Sequence, residues 1–196
     1  MTHDPVRASL HDELRWIRAS LLGTLEGLSE HDVRRPLTET GTNLLGLVKH
    51  LALTEARYLG EVVGRPFPEP LPRWDDSPAN RAHFWVTEHE TRADVLDRYA
   101  RACRHADATI DALPLDAPGH VPWWPRPDVR LVDVVVHVLV ETSRHTGHAD
   151  ILREGLDGVV GTGSAAGSPV DDAAREARAR YRAQVEAAAR AAAGTA

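Results

Sequence analysis

The sequence predicts an all-α protein: a four-helix bundle with an additional helix at the C-terminus. Two observations lead to this fold. Apolar residues recur at spacings of three and four in four separate segments, as on the buried face of a helix. The connections between these segments are rich in proline and glycine, which break regular structure and allow neighbouring helices to pack antiparallel. With 196 residues, of which 42% are hydrophobic and 27% charged, the chain resembles an ordinary globular domain.

The first two predicted helices are separated by a short loop. The first helix spans about 8–28, and the loop that follows it contains the breakers Pro36 and Gly41. The second helix spans 42–64, with Thr42 or Asn43 as its N-cap and Gly64 at its end. The buried stripe of the first helix consists of Leu14, Ile17, Leu21, Leu25 and Leu28.

The third predicted helix follows a long connection. Residues 65–87 contain five prolines, so they form an ordered loop or short turns, and long loops in compact domains are often functional. The helix spans 90–114, and Thr91 with Asp94 is the pattern of a capping box. Its buried stripe consists of Val95, Tyr99, Ala102, Ala106 and Ile110.

The fourth predicted helix is the longest. It begins at Asp128, after a proline-rich connection, and ends near Gly155 or Gly158. Residues 131–140 are apolar and rich in β-branched side chains, which also suits a buried strand. The charged continuation keeps a period of 3.6 residues, and this favours a helix throughout.

The composition of the C-terminal residues predicts a linker and a helix that packs weakly on the bundle. Residues 158–168 have the glycine- and serine-rich composition of a flexible linker. A final helix is expected from Ser168, with Pro169 at its first position and a thin apolar stripe that docks weakly. We therefore predict a bundle over 1–158 and a tail over 159–196.

Composition excludes several classes of partner. A net charge of −6 without a basic block argues against nucleic acid as the main partner. The sequence has neither a long apolar run nor a secretory signal at its N-terminus, so no membrane partner is expected. Cys103 is the single cysteine, which rules out an internal disulfide and favours the cytoplasm. Monomer and homodimer both stay open.

The stretch ETSRHTGHADILRE, residues 141–154, predicts a metal site. Glu141 and His145 are four residues apart, so on a helix both side chains can reach one ion, and His137 and His148 lie on the same stripe. Imidazole and carboxylate suit zinc and other borderline divalent ions. A third ligand has to come from a facing helix, and His50, in an apolar part of the second helix, is the candidate.

Each of these residues also has a plainer interpretation. His50 is alternatively a hydrogen-bonded core histidine, and His137 a packed residue or a support for a ligand. His148 is a supporting partner, a fourth ligand or a surface residue. The aromatic residues Tyr58, Trp85, Trp123 and Trp124 line a pocket or belong to the core, and Arg57 and Arg144 steer an anion or are solvated. The remaining histidines are expected in solvent: His3, His11, His31, His83, His89, His105 and His120.

Two segments also resemble a known family. TNLLGLVKHLALTEARYLG (42–60) and HVLVETSRHTGHADILREGLDG (137–158) resemble the signature helices of the DinB-like superfamily, in its actinobacterial mycothiol-transferase-like branch. The resemblance covers about 8–158 and implies a four-helix bundle with a divalent metal between the second and fourth helices. Many members use three histidines, whereas Glu141 replaces one of them here. The metal-binding domain of mycothiol-dependent maleylpyruvate isomerase resembles this His/Glu/His arrangement, which implies His50, Glu141 and His145 as ligands.

The resemblance also implies a reaction. Members with known activity join a low-molecular-weight thiol to an electrophile, or use a thiol to isomerise a substrate. The resemblance therefore implies mycothiol as co-substrate and zinc as the metal, with nickel, iron or manganese as alternatives. His148 is the candidate base, and His137 is also placed for that role. Two alternatives remain: a hydrolase or natural-product tailoring enzyme that uses the metal without a thiol, and a non-catalytic metal-binding stress protein.

Overall fold

The computed structural model describes residues 4–70, 81–160 and 171–194 and is predominantly α-helical. The predicted four-helix bundle with an additional C-terminal helix is confirmed. Four helices form the bundle: α3 packs against α4 and α5, and α1 packs against α5 and α4. The helices are α1 (Pro5–Gly23), α2 (Glu30–Arg34), α3 (Leu44–Tyr58), α4 (Arg92–Ala112), α5 (Leu131–Asp157) and α6 (Asp172–Ala192).

The helix boundaries differ from the prediction near the first two helices. The helix α1 ends at Gly23, so Leu25 is buried from the turn that follows rather than from the helix. The predicted loop contains the short helix α2, whose N-cap Ser29 accepts the amide N–H of Asp32 at 3.1 Å. Asn43 caps α3, and the chain beyond Tyr58 forms a 3-10 turn that ends at Gly64, where φ is 74°. Local side-chain caps therefore mark where α2 and α3 begin.

A small hairpin precedes α5, where the prediction had the helix begin at Asp128. The strands β1 (Pro118–His120) and β2 (Asp128–Arg130) pair antiparallel, with Gly119 opposite Val129. The carboxylate of Asp133 accepts the amide N–H of Arg130 at 2.8 Å and caps α5 at Leu131 instead. The capping box of Thr91 and Asp94 is confirmed, and so is the helix in place of a strand over 131–140. Of the two predicted ends, Gly158, with φ 77°, follows the last turn of α5.

A buried polar network joins three bundle helices. The guanidinium of Arg18 on α1 donates to both carboxylate oxygens of Glu55 on α3, at 2.6 and 2.7 Å. It also donates to Asp107 on α4 at 2.6 Å, and the same carboxylate contacts His11 at 2.9 Å. The Glu55 side chain is fully buried, so its charge is compensated by Arg18 rather than by water. His11 is 5% exposed, which makes the prediction of a solvated His11 wrong.

The C-terminal helix α6 lies on the surface of the bundle and contributes no buried residue. Its Arg178 donates to the carbonyl of Gly158 at the end of α5. The helix begins at Asp172 because the side chain of Asp171 accepts the amide N–H of Ala174 at 2.7 Å. The predicted start at Ser168 and Pro169, and most of the predicted linker, lie outside the described residues. No helix in the described ranges has the length and apolarity that a membrane crossing requires.

Removing the arginine of the buried network should destabilise the bundle strongly. We expect Arg18→Ala to lower the free energy of unfolding by about 3–5 kcal/mol, because it leaves a buried carboxylate without a compensating charge. The control Arg15→Ala removes a guanidinium that is 52% exposed, and should cost at most about 1 kcal/mol. Urea unfolding monitored by circular dichroism gives both values. A loss of less than about 1 kcal/mol for Arg18→Ala would show that the network does not stabilise the fold.

The exposure of α6 predicts that the tail opens more easily than the bundle. Amides over 172–192 should exchange with solvent faster than those of α5, since apolar burial does not oppose opening of α6. Hydrogen exchange followed by mass spectrometry measures the difference. Equal protection of α6 and α5 would contradict the predicted division into a bundle (1–158) and a tail (159–196).

Candidate metal centre

Three side chains from two helices meet between α3 and α5. His50 on α3 faces Glu141 and His145 on α5, and one ligand atom from each lies within 4.8 Å of the other two. The Nε2 atom of His145 is 3.4 Å from a carboxylate oxygen of Glu141, one helical turn before it. The imidazole rings of His50 and His145 are edge to face, with centroids 4.9 Å apart. The structure thus brings together the three residues expected to bind metal.

The surroundings of His50 suit a metal ligand. Every other residue of α3 is buried, whereas His50 is half-buried and lines a cavity. Burial, together with the nearby His145 and His83, lowers the pKa of His50 to about 3, so the imidazole is neutral at physiological pH. Among the described residues, nothing forms a hydrogen bond with its buried Nδ1 atom. A neutral imidazole that is not fully engaged in protein hydrogen bonds is available to a cation.

A loop that covers α3 holds the ring of His50 in place. The ring of Phe84 stacks on the imidazole, with centroids 4.2 Å apart and planes 19° apart. The carbonyl of Phe84 accepts a hydrogen bond from the Asn43 amide at 3.2 Å, and the ammonium of Lys49 donates to the Trp85 carbonyl at 3.0 Å. A Cβ on Gly46 would lie 2.0 Å from the Phe84 carbonyl oxygen, so the loop sits this close only because residue 46 is glycine.

His148 contacts the other side of the His145 ring. The Nδ1 atoms of the two imidazoles are 3.4 Å apart, so one donates to the other, while Nε2 of His145 faces Glu141. Burial lowers the pKa of His145, and Glu141 opposes this shift. Ligand histidines usually form a hydrogen bond through the second ring nitrogen, which fixes the ring orientation. His148 is exposed and is the hydrogen-bond partner of this second ring nitrogen of His145.

His83 belongs to the site although it was expected in solvent. It is half-buried, and its ring centroid lies 5.6 Å from that of His50. Burial is the main reason that its pKa is lowered, and Arg81 and Lys49 add to the shift. The only sequence signal was its position in a long proline-rich connection. Of the other histidines expected in solvent, His105 is also half-buried and His3 lies outside the described residues, whereas His31, His89 and His120 are exposed.

Two cavities border the three residues. The first has a volume of about 340 Å³ and reaches His50 and Glu141. The second has a volume of about 370 Å³ and reaches His145 and His148. The first is lined by His50, Thr54, Tyr58, His83, Trp123, His137 and Glu141. The second is lined by Thr40, Gly41, Thr42, Asn43, Leu47, Arg81, Phe84, Trp85, His145 and His148.

Of the remaining candidates, His137 lines the first cavity and Arg57 packs against its Trp123, whereas Trp85 lines the second. His137 is half-buried and packs against Tyr58, at 4.5 Å between centroids, and Trp124, at 4.8 Å. Its burial lowers its pKa. Arg57 is 3% exposed and its guanidinium lies 4.4 Å from the centre of the Trp123 ring, so the expectation of a solvated Arg57 is wrong.

Comparison with known proteins identifies the family of the four-helix bundle. A family model described as mycothiol-S-transferase matches residues 9–158, from α1 to the end of α5. The match confirms the resemblance that was inferred from the two signature segments. No curated protein matches the chain.

Substitution of the three clustered residues should abolish metal retention. We expect His50→Ala, Glu141→Ala and His145→Ala each to weaken zinc binding by at least about 100-fold, since even loss of an outer-sphere partner of a metal ligand costs about 10–100-fold. The control His89→Ala removes an imidazole whose side chain is 87% exposed and should retain zinc. Elemental analysis after zinc loading and dialysis measures the bound metal. A stoichiometric zinc content in any of the three variants would remove that residue from the ligand set.

Proposed function

The chain belongs to the mycothiol S-transferase family, and on that premise we propose that it is a metal-dependent enzyme that joins the sulfur of mycothiol to an electrophile. The family supports the thiol and the transfer. The observation that carries the metal dependence is the convergence of His50, Glu141 and His145 within 4.8 Å, beside two cavities large enough for small molecules.

The donor set fits a catalytic divalent cation. Two imidazoles and one carboxylate suit zinc, and nickel, iron and manganese use overlapping sets of ligands. Three protein ligands are the number found in catalytic zinc sites, which keep a position for substrate. When bound there, the cation supplies a positive charge that favours the thiolate form of a thiol placed in that position.

The protein residues prepare this centre before the substrates arrive. Phe84 holds the ring plane of His50, and His148 contacts the Nδ1 of His145 so that Nε2 points toward Glu141. Because the rings are already oriented, little reorganisation is needed when a substrate binds.

The transfer itself requires one proton to leave the thiol. The sulfur electron pair then forms a bond to an electrophilic carbon, and a leaving group departs with its own electron pair. With a conjugated acceptor, the displaced pair moves into the acceptor, which later takes up a proton. We propose His148 as the proton acceptor, because its exposed ring lies beside His145 and can pass the proton to solvent.

A cobalt-substituted protein tests the thiol directly. Addition of mycothiol should produce an intense near-ultraviolet charge-transfer band, because sulfur becomes a ligand of the metal. Variants of the metal ligands cannot serve as controls here, because they are expected to lose the metal. The matched control is instead the same protein with the S-methylated thiol, which lacks an ionisable sulfur and should leave the spectrum unchanged. If mycothiol leaves it unchanged and turnover of an electrophile panel needs no thiol, a metal-dependent hydrolase or tailoring enzyme replaces this proposal.

His148→Ala tests the proton acceptor. Removal of this partner of His145 should weaken metal binding by about 10–100-fold, so the variant is assayed with zinc in excess. Under that condition we expect metal to stay bound and turnover to fall by about 100-fold or more, the usual contribution of a general base. The control His120→Ala removes an exposed imidazole on β1 and should leave turnover unchanged. Steady-state kinetics over a pH series, with metal content measured on the same samples, separates the roles. Loss of metal from His148→Ala even in excess zinc would make His148 a ligand, and unchanged turnover would exclude it as the base.

A further inference from the structure

The solvent side of α5 carries an apolar stripe, although the exposed face of a bundle helix is normally polar. At about 100° per residue, five exposed residues lie within about 40° of one line along the helix: Val136, Val140, Ser143, Gly147 and Ile151. The side chains of Val136, Val140 and Ile151 are 43%, 56% and 70% exposed, respectively. We infer that this stripe binds a second copy of the chain, with the two α5 helices antiparallel and crossing at Gly147. The inference does not depend on the proposed function.

The charges beside the stripe are arranged to pair with those of a second copy. Arg144 and Asp150 lie at equal distances before and after Gly147, about 60° to either side of it. A two-fold axis through Gly147 exchanges these positions, so Arg144 lies next to the partner's Asp150, and the reverse pair forms as well. Neither side chain forms an ion pair or a hydrogen bond within the described part of the chain. Burial raises the pKa of Asp150 without an opposing effect from a described cation, and the second copy would supply that cation.

Gly147 suits the point where the two helices cross. A glycine in the middle of a helix costs about 0.5–1 kcal/mol relative to alanine. A Cβ at residue 147 would meet nothing within 4 Å, so no contact among the described residues requires this glycine. Without a side chain there, two helices can approach to the short end of their usual separation of about 8–10 Å. The glycine thus has a use between two copies that it lacks within one.

The N-terminal part of the stripe meets a second apolar surface of the partner. The same two-fold axis brings Val140 level with the partner's Glu154, and Val136 level with the partner's Gly158. In each copy Glu154 and Gly158 line a cleft of about 730 Å³ between α5 and α6. Three exposed apolar residues line that cleft as well: Val160, Tyr181 and Val185. The pairing therefore covers apolar surface at its two ends and opposite charges near its centre.

The size of the contact predicts a weak dimer. From Val136 to Ile151 the stripe is roughly 22 Å long and one helix, about 10 Å, wide. A contact of this kind is smaller than the roughly 800 Å² that each partner buries in a stable complex. We therefore expect a dissociation constant on the order of 10 µM.

Charge reversal and mixing test the pairing. Arg144→Asp and Asp150→Arg should each weaken dimerisation at least about tenfold, because each places like charges together across the axis. An equimolar mixture of the two variants should regain the dimer, since opposite charges then face each other in both pairs. The control Arg104→Asp reverses an exposed charge on α4 and should leave dimerisation unchanged. Sedimentation velocity from about 1 to about 300 µM measures the dissociation constants, and circular dichroism checks the helical fold of each variant.

Cysteine crosslinking tests the register. In Gly147→Cys the two thiols face each other across the axis, within the range of about 4.4–6.8 Å between Cα atoms that a disulfide requires. Oxidation by diamide should therefore join two copies. The control Ser143→Cys places its two thiols about 12 Å apart along the helices and should stay uncrosslinked. Cys103 is present in both variants, so its contribution is the same, and non-reducing gel electrophoresis gives the crosslinked fraction.

Three results would overturn the inference. The first is a wild-type chain that stays monomeric at about 300 µM, more than tenfold above the expected dissociation constant. The second is a dimer that both charge reversals leave intact, or that the mixture of the two variants fails to regain. The third is equal crosslinking of Gly147→Cys and Ser143→Cys. None of these results bears on thiol transfer, so the inference and the proposed function fail separately.

Discussion

The pairing of Arg18 with Glu55 determines how α3 sits in the bundle, and the site depends on α3. Taking a carboxylate out of water is costly unless its partner is held in good geometry, so a rotation or a one-residue slip of α3 would leave two buried charges apart. His50 lies five residues before Glu55, which places the two side chains roughly 140° apart around the helix. The helix can therefore direct Glu55 toward α1 and α4 and His50 toward α5 at the same time. The ion pair on one face of α3 thus orients the neutral imidazole of His50 on another face.

The site is supported by contacts that do not themselves reach a substrate. Phe84 fixes one imidazole by stacking, and His148 fixes another by a contact between ring nitrogens. Lys49 joins the loop to α3 through the Trp85 carbonyl and also pairs with Glu90 at 2.8 Å. The clustered residues consequently come from two rigid helices, while a loop tied to one of those helices determines what surrounds them.

The parts of the fold that depend on local sequence could be predicted, and those that depend on distant contacts could not. Helical periodicity predicted the bundle, and the four-residue spacing of Glu141 and His145 predicted that their side chains meet. His50 was predicted as a ligand because an ionisable side chain in an apolar helix is costly unless it has a partner, and the family resemblance implied a metal as that partner. His11 was misjudged because its partner Asp107 is 96 residues away. His83 and the pair of Tyr58 and Trp123 depend in the same way on tertiary packing across long connections, which periodicity does not report.

Gly46 carries a consequence for attempts to redesign this protein. The backbone of the Phe84 loop occupies the space where a side chain at residue 46 would begin, so the identity of that one residue and the docking of the loop cannot be chosen separately. A library that varies the loop to accept new substrates should keep residue 46 fixed, whereas a library that varies α3 would fail there first. Tolerance of substitution at this position would in turn reveal that a grafted loop has lifted away from the helix. A missing side chain, rather than a catalytic one, limits how far the substrate range can be engineered.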